Sequence, residues 1–449
     1  MRTATIRRTR MSIAPVFAAS ASFFLMNMEV LIVNAALPTI AADLGATVAD
    51  QQWVVDGYAL PLAALLLLGG SLSDRFGARR AFLAGTALFM AGSAACAFAP
   101  TVQALIAGQV ALGIAAALVL PSSMSLIDEA YPDLADRARA IAVWGVGGSA
   151  ATAAGPLLGG VLVPIHWGLA FAVNIPVCAA VLALAPKLPA SPRSDAALDP
   201  VGQLLSTAGL FCLVAGLIEC GSKGFASPVP LALLCAGIAA LALFALSQAR
   251  VAHPMLPLSL FGPAGMRLAF LAGFVMILNW NGAVFLCTQF LQTAQGLSPL
   301  ESGLAFAPAV VTGIAGNLAS ARCVGLLGVR RTVRLGIALM AAGFAIMLAC
   351  LHNLSAGVVA AAIMVNGMGG ALTTPCLANI VLTCAPDGQS GVASAVFNAF
   401  RQVGGSLGIA AFGAMAASLH PAQAALAVAF SAAMAALAAL FWLARTVSR

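Results

Sequence analysis

The stretch GSLSDRFGARR, residues 70–80, decides how the rest of the sequence is interpreted. Its charged residues lie between two long apolar runs, at 53–72 and 81–99. About 20 consecutive apolar residues are what a helix needs to cross the hydrocarbon core of a bilayer. The pattern therefore predicts a charged turn between two membrane-spanning helices. Gly77 suits the tight bend because glycine adopts backbone conformations that other residues avoid.

The composition extends this pattern to the whole chain. Of its 449 residues, 62% are hydrophobic and 8% are charged, whereas a soluble protein carries about 25% charged residues. So little charge excludes a soluble enzyme and a disordered or fibrous chain. We predict an all-α integral membrane protein with fourteen transmembrane helices. Apolar windows bounded by charges, proline or glycine give the spans 14–37, 53–72, 81–99, 102–124, 138–163, 167–185, 201–219, 229–248, 267–291, 302–321, 332–351, 355–383, 391–418 and 422–444.

The placement of basic residues supports this helix count. With the N-terminus in the cytoplasm, every Lys and Arg except Lys223 falls on the cytoplasmic side, as the positive-inside rule requires. Both termini are then cytoplasmic. The net charge of +7 reflects topology, so we expect no nucleic-acid partner. The first apolar stretch continues to about Leu37, which predicts a retained helix instead of a cleaved signal peptide.

Cysteine, histidine and lysine positions argue against several other classes of protein. The ten cysteines contain no CxxC pair and the four histidines no HExxH motif, so we expect no metal site and no cofactor. Neither Lys187 nor Lys223 has the context of a phosphate-binding loop, which argues against an ATP-driven pump. The sequence contains no metal-ligand or nucleophile motif of a catalytic site, so we do not expect an enzyme.

An internal repeat divides the chain. Gly113 and Pro121 recur 254 residues later as Gly367 and Pro375. We predict a cytoplasmic tail at 1–13, a six-helix half at 14–185, a linker with two inserted helices at 186–250, and a second half at 251–449. Parallel repeats with a site between them near the bilayer midplane are the layout of alternating-access carriers.

The order of motifs resembles that of the major facilitator superfamily, in particular its fourteen-helix drug:proton antiporters, which include methylenomycin-resistance-type exporters. The motifs are MEVLIVNAALP (28–38), QWVVDGYAL (52–60), GSLSDRFGARR (70–80), AGPLLGG (154–160), NIP (174–176), LDPVG (198–202) and GVASAVFNAFRQVGGSLG (391–408).

The resemblance implies a monomer in the lipid bilayer of the bacterial cytoplasmic (inner) membrane. The resemblance also implies that the protein exports a small, drug-like substrate in exchange for protons. Two positions depart from the family pattern. Glu29 replaces an Asp in the first helix, and Gln109 replaces an Arg in the fourth helix that the family links to proton coupling.

Ionisable groups inside the membrane are costly and therefore functional candidates. We expect Glu29 and Gln109 about 13 Å and 10 Å below the outer ends of their helices, facing each other across the cavity. Glu29 then carries a proton or a cationic drug, or else it is a structural carboxyl bonded to a neighbouring helix. Asp56 either takes part in transport or satisfies the free N–H groups at the outer start of the second helix.

Polar and aromatic residues at mid-membrane are the candidates for substrate contact in the second half. Unpaired amides in hydrocarbon are costly, so they face either the cavity or another helix. An indole ring can stack on a flat or cationic substrate. The candidates are Asn279, Trp280, Asn281 and Asn366, with hydrogen bonding between helices as the alternative.

The remaining candidates follow from the resemblance. The resemblance implies a contact that holds the two halves together and gates the inner opening of the cavity. The residues assigned to it are Asp74, Arg75, Gly77, Arg79 and Arg80, together with Arg401 at the inner start of the thirteenth helix. The alternatives are orientation by charge for the turn and snorkelling for Arg401. The antiporter motif, which bends the fifth helix or only lets it pack closely, contains Gly155, Pro156, Gly159 and Gly160.

Three functions remain open from the sequence. The first is proton-driven export of hydrophobic or cationic drugs. The second is export of one dedicated metabolite or antibiotic, and substrate breadth separates it from the first. The third is a non-transporting carrier-like sensor or lipid-handling protein, which substrate-dependent proton movement would exclude.

Overall fold

The computed structural model describes residues 13–191, 199–224, 226–251, 254–386, 390–418 and 422–446, and these residues are helical nearly throughout. The α-helices are α1 Ile13–Leu44, α2 Val48–Phe76, α3 Ala78–Ala97, α4 Val102–Ala130, α5 Leu134–Leu162, α6 Leu169–Ala172, α7 Asn174–Ala183, α8 Pro200–Lys223, α9 Pro228–Gln248, α10 Ala264–Gln289, α11 Pro299–Leu327, α12 Val329–Ala349, α13 Ala356–Cys384, α14 Ser390–Ser418 and α15 Ala422–Thr446. Only Val173 separates α6 from α7, and the two make up the sixth predicted span.

Eleven helices of the described residues are long and apolar enough to cross a membrane. They are α1–α4, α8, α9, α10 with its π-helical end, α11–α13 and α15. The others are α5 and α14, which are equally long but rich in glycine and small polar residues, and the short stretch Leu169–Ala183. The prediction of an all-helical, multi-pass membrane protein is confirmed, and the count of fourteen spans stays a prediction.

The charged turn at 70–80 has a counterpart with similar backbone geometry at the end of α11. Gly77 ends α2 with a φ of 91°, and Gly328 ends α11 with a φ of 80°. This region of φ favours glycine because a Cβ atom would clash there. Gly77 therefore occupies the tight bend that the sequence predicts. The internal repeat of the sequence is also present in the backbone conformation of these two turns.

Buried apolar side chains form two large clusters. One draws its residues mainly from α1–α7, and the other mainly from α10–α15. Phe285 of α10 and Ile409 of α14 belong to the first cluster, so a few side chains cross between them. Two six-helix halves in contact along one seam would give this distribution.

Glycines bring neighbouring helices into backbone contact. A Cβ atom on Gly69 of α2 would lie 1.9 Å from the Ala117 carbonyl oxygen of α4. A Cβ atom on Gly336 of α12 would lie 2.6 Å from the Gly369 carbonyl oxygen of α13. Close packing of this kind is a main attraction between helices in lipid, where the hydrophobic effect does not act between them.

The inserted helices α8 and α9 form a hairpin beside the seam. Asp199 caps α8 by accepting a hydrogen bond from the Gly202 N–H, and its second carboxylate oxygen accepts one from Gln248 Nε2 at 2.6 Å. The Gln248 Oε1 atom in turn accepts the Leu256 N–H at 2.8 Å. The base of the hairpin is thus bonded to the chain that leads into α10.

Helix α8 packs against both α2 and α14. Gln203 Nε2 donates to the Ala64 carbonyl oxygen of α2 at 2.9 Å. A Cβ atom on Gly221 would lie 2.9 Å from Ala414 Cα of α14. Apolar side chains of all three helices share one small cluster. The hairpin therefore lies along the line where α2 meets α14.

We expect Gly69→Ala to destabilise the protein, because its added methyl group would overlap the Ala117 carbonyl oxygen of α4. Overpacking of this kind costs about 1–3 kcal/mol. Thermal unfolding of the detergent-solubilised protein measures the loss. The matched control is Gly370→Ala on α13, where a Cβ atom would meet nothing within 4 Å. Equal unfolding temperatures for the two variants would contradict the packing described here.

Candidate functional site

Helices α2 and α14 meet through two buried hydrogen bonds. Ser406 Oγ donates to Asp56 Oδ1 at 2.6 Å. One turn away on both helices, Gln52 Nε2 donates to the Ala410 carbonyl oxygen at 3.0 Å. Asp56 and Gln52 are both fully buried. Within the described residues, Asp56 Oδ2 has no hydrogen-bond partner, so this carboxyl group has one bonded and one unbonded oxygen at the seam.

The capping interpretation of Asp56 is wrong. Helix α2 begins at Val48, two turns before Asp56. Its N-terminus is capped by Thr47, whose side chain accepts the Asp50 N–H at 3.2 Å while Asp50 Oδ2 accepts the Thr47 N–H at 2.9 Å. This capping box satisfies the free Asp50 N–H at the start of α2. Asp56 lies inside the helix and bonds across the seam.

Further contacts between the halves lie at the same end of the molecule. Gln289 Nε2 donates to Gln51 Oε1, and Gln292 Nε2 donates to the Ala35 carbonyl oxygen at 3.3 Å. These atoms sit near the C-terminal end of α1 and the N-terminal end of α2. The predicted topology makes this the outer end, and here the two halves are in contact.

The antiporter motif packs α5 against both halves. A Cβ atom on Gly155 would lie 2.6 Å from Leu31 Cβ of α1. A Cβ atom on Gly160 would lie 2.8 Å from Leu300 Cα of α11, again near the outer end. Helix α5 runs through Pro156 without interruption. The motif glycines therefore serve close packing, and one of them does so between the halves.

Glu29 is fully buried within the first half. Its carboxylate accepts hydrogen bonds from Asn174 Nδ2 of α7 at 2.8 Å and from Gln109 Nε2 of α4 at 3.3 Å. Asn174 Nδ2 also lies 3.2 Å from Ser93 Oγ of α3, as a second acceptor. No cation contacts Glu29 among the described residues. Four helices of the first half thus meet at one carboxyl group.

Glu29 and Gln109 touch directly instead of facing each other across a cavity. Glu29 lies on the face of α1 that points into the helix bundle of the first half. This arrangement is the one expected for a structural carboxyl bonded to its neighbours. Sequence reasoning missed Asn174, although the NIP motif contains it and an amide inside an apolar helix is a usable signal.

A small cavity lies between the halves, where α1, α10 and α11 meet. Its walls are mostly apolar, with Asn34, Thr288 and Ser302 as the polar members and Trp280 and Phe306 as the aromatic ones. Its volume of about 30 Å³ has room for a water molecule but not for a drug. A drug could bind at this position only if the surrounding helices moved apart.

The four candidates for substrate lining separate in the structure. Trp280 lines the cavity. Asn281 packs against Gly405 of α14. Asn366 Nδ2 donates to the Met340 carbonyl oxygen at 3.1 Å and so joins α13 to α12, as its alternative interpretation holds. Asn279 is buried, and neither polar atom of its side chain has a partner among the described residues.

Arg79 bonds the turn at 70–80 to the end of the first half and to the start of the linker. The Arg79 N–H donates to Ser191 Oγ at 2.8 Å, and Arg79 Nη2 donates to the Ala185 carbonyl oxygen at 2.9 Å. Ser191 Oγ donates in turn to Glu129 Oε2 at 2.5 Å. Arg79 therefore anchors the turn to the segment after α7, and in this conformation it does not reach the second half.

The position of Arg401 differs from the prediction. Helix α14 begins at Ser390, so Arg401 lies eleven residues inside it, about 16 Å from its first residue. The guanidinium lies 5.7 Å from the centroid of the Phe397 ring, and Nη1 donates to Asn398 Oδ1 at 3.4 Å. Arg401 is therefore not at the inner start of its helix.

Comparisons with known proteins agree with this architecture. The Major Facilitator Superfamily model matches residues 17–409 and, in a second match, 269–449. The multidrug efflux pump LfrA of Mycolicibacterium smegmatis is 35% identical over 381 residues, which is 84% of this chain and 75% of the pump. The methylenomycin A resistance protein of Bacillus subtilis is 33% identical over 395 residues, 87% of this chain and 84% of that protein.

The fold also matches solved structures. A crystal structure of the peptide transporter POT in complex with sulfate superimposes with a TM-score of 0.72. The match covers 96% of this chain and 94% of that chain, at 16% sequence identity. At this identity the likeness concerns the fold alone.

We expect Asn174→Ala to destabilise the first half, because it leaves Glu29 with one donor fewer in a site that water does not reach. An unsatisfied buried group costs about 1–3 kcal/mol, and more when it is charged. Thermal unfolding in detergent measures the effect. Asn353→Ala, at an exposed position, is the control. If both substitutions shift the unfolding temperature equally, the bond to Glu29 contributes nothing to stability.

Proposed function

The chain belongs to the Major Facilitator Superfamily, whose members are membrane transporters and not enzymes, and we propose that it exports drug-like small molecules in exchange for protons by alternating access. One observation carries the proposal. The two halves are joined at one end by hydrogen bonds centred on Asp56 and Ser406. An alternating-access carrier needs such a closure on one side of its site.

The proposal includes a topology. Fourteen spans place both termini in the cytoplasm, with a tail at 1–13, six-helix halves at 14–185 and 251–449, and the linker and hairpin at 186–250 between them. The paired glycine turns and the two apolar clusters support this division. The bacterial relatives support the cytoplasmic membrane as its location. We propose a monomer as the working unit.

Asp56 is our first candidate for proton coupling. Its carboxyl group lies at the seam, and its bond to Ser406 joins the halves. Gain or loss of a proton there changes which hydrogen bonds the seam can make, so protonation and closure are linked. Glu29 is the second candidate. Its partners all belong to the first half, so its protonation acts on the shape of that half.

Export of a single dedicated antibiotic is the second candidate function. The relatives include multidrug efflux pumps, and they also include resistance proteins whose names refer to one compound, methylenomycin A. The polar residues of the cavity lining, Asn34, Thr288 and Ser302, do not favour one of the two functions over the other. Substrate breadth separates the two functions.

The decisive experiment is proton movement in liposomes. The purified protein is reconstituted with an imposed pH gradient and a pH-sensitive dye inside, and a panel of neutral, cationic and anionic drugs is added. We expect substrate-triggered proton flux in the wild type and its loss in Asp56→Asn. Flux that is lost only in Glu29→Gln assigns coupling to Glu29. Absence of flux with every drug contradicts multidrug antiport and leaves the dedicated exporter or a non-transporting protein.

The closure can be tested by a distance measurement. Spin labels at the exposed residues Phe98 and His352 report the separation of the halves at the predicted outer end, in a background without other reactive cysteines. We expect Ser406→Ala to increase the population of longer distances, because it removes the donor to Asp56. Ser71→Ala is the control, since the hydrogen bond that Ser71 makes within the described residues is to Leu67 of its own helix. Unchanged distances in Ser406→Ala would count against this closure.

A further inference from the structure

Arg401 is a cation inside α14 that no acidic residue neutralises among the described residues. The ion pairs there are Arg137–Asp128, Arg139–Asp136 and Lys223–Glu219, all outside this region. The contacts of Arg401 are an amide oxygen, that of Asn398, and the Phe397 ring. A charged side chain deep within a transmembrane helix is costly and is retained where it serves a function.

Arg401 packs against α10, one of the helices that line the small cavity. Its Cγ atom would lie 3.1 Å from a Cβ atom built on Gly273 of α10. Gly273 is seven residues before Trp280, so the two share one face of α10. Trp280 and the residues that follow it on this face, Val284 and Thr288, line the cavity between the halves. Arg401 therefore lies on the inward continuation of that wall.

The distance between the two groups suits a small molecule. Seven residues of helix place Gly273 about 10 Å inward of Trp280. Asn398, which accepts the hydrogen bond from Arg401, is exposed. Along α10, Arg401 and the Trp280 ring are thus separated by about the length of a small aromatic molecule.

The sign of the charge on this wall limits the substrates that fit. None of the described residues that line the cavity is acidic. The two fully buried carboxyl groups are already engaged, Glu29 by amides of the first half and Asp56 by Ser406. A cationic drug would therefore meet the guanidinium of Arg401 and no carboxylate of the cavity lining.

We propose that Arg401 binds an anionic group of the exported substrate, so that this carrier selects apolar or aromatic molecules bearing a carboxylate over cationic ones. A guanidinium binds a carboxylate through two parallel hydrogen bonds, and Trp280 offers a ring for stacking. The inference rests on the proposed export function and names its substrate class.

The test uses three probes that share one ring system and differ in charge. They are 2-naphthoate, 2-naphthamide and 2-naphthylmethylammonium. Binding to the full-length protein is measured by titration calorimetry in liposomes, with and without anionic lipid. We expect 2-naphthoate to bind the wild type at least about tenfold more tightly than the amide, because a hydrogen-bonded charge contributes that much or more. The ammonium probe should bind most weakly.

Variants then assign the preference to Arg401. Arg401→Gln should equalise the affinities for the carboxylate and the amide, and Arg401→Lys should keep part of the preference. Trp280→Ala should lower the binding affinities for the carboxylate and the amide by a similar factor. Arg267→Gln is the matched control, because the Arg267 guanidinium is exposed and bonds to the carbonyl oxygens of Phe261 and Gly262. If Arg401→Gln does not fold, Arg401→Lys carries the test.

Four results would overturn the inference. They are equal binding of the probes to the wild type, no binding of 2-naphthoate, a carboxylate preference that survives in folded Arg401→Gln, and a preference that disappears in anionic lipid. The last result would mean that Arg401 binds a lipid phosphate. Failure of the transport proposal looks different: the carboxylate preference persists, but no probe moves protons.

Discussion

Inside the hydrocarbon core no water is available to hydrogen-bond to a polar group, and each buried polar side chain must find its partner in the protein. This constraint explains the internal organisation of the molecule. Asn366 joins α13 to α12 through a carbonyl oxygen. Glu29 gathers amides from α4 and α7. The hydrogen bond between Ser406 and Asp56 meets the same need and joins one half to the other. As long as water does not enter the seam, these two groups have no alternative partner, so their bond stabilises the closed seam.

The two halves repeat their helix packing but not their chemistry. The sequence VGGS occurs in α5 at 146–149 and in α14 at 403–406. In each copy the first glycine brings its helix against a carbonyl oxygen, that of Ser20 in α1 or that of Phe274 in α10. Of the buried carboxyl groups among the described residues, Glu29 and Asp56 belong to the first half and Asp199 to the base of the inserted hairpin, and none belongs to the second half. The two halves thus share their helix packing but differ in their buried polar groups, and this difference gives them different roles in the proposed transport cycle.

Much of the fold could be predicted from the sequence because hydropathy and charge act along the chain. The helices, the turn at Gly77 and the multi-pass architecture all follow from one-dimensional patterns. The depth of a residue along its helix can also be predicted from the sequence, but the direction in which its side chain points around the helix cannot. That is why Glu29 was expected to face the cavity, whereas it points into its own bundle. Asp56 is bonded to Ser406, 350 residues away in the sequence, and Arg401 packs against Gly273 of α10, so no local pattern encodes these contacts.

The position of α8 has a mechanical consequence for such a carrier. This helix is hydrogen-bonded to α2 and packed against α14, so it covers the α2–α14 seam from outside the ring of twelve helices. The opposite seam, between α5 and α11, has no comparable cover among the described helices. Any rotation of the halves has to shear α8 against one of its neighbours, whereas along α5 and α11 the halves are held by the packing of those two helices, such as Gly160 against Leu300. The hairpin therefore makes opening mechanically unequal on the two sides of the molecule.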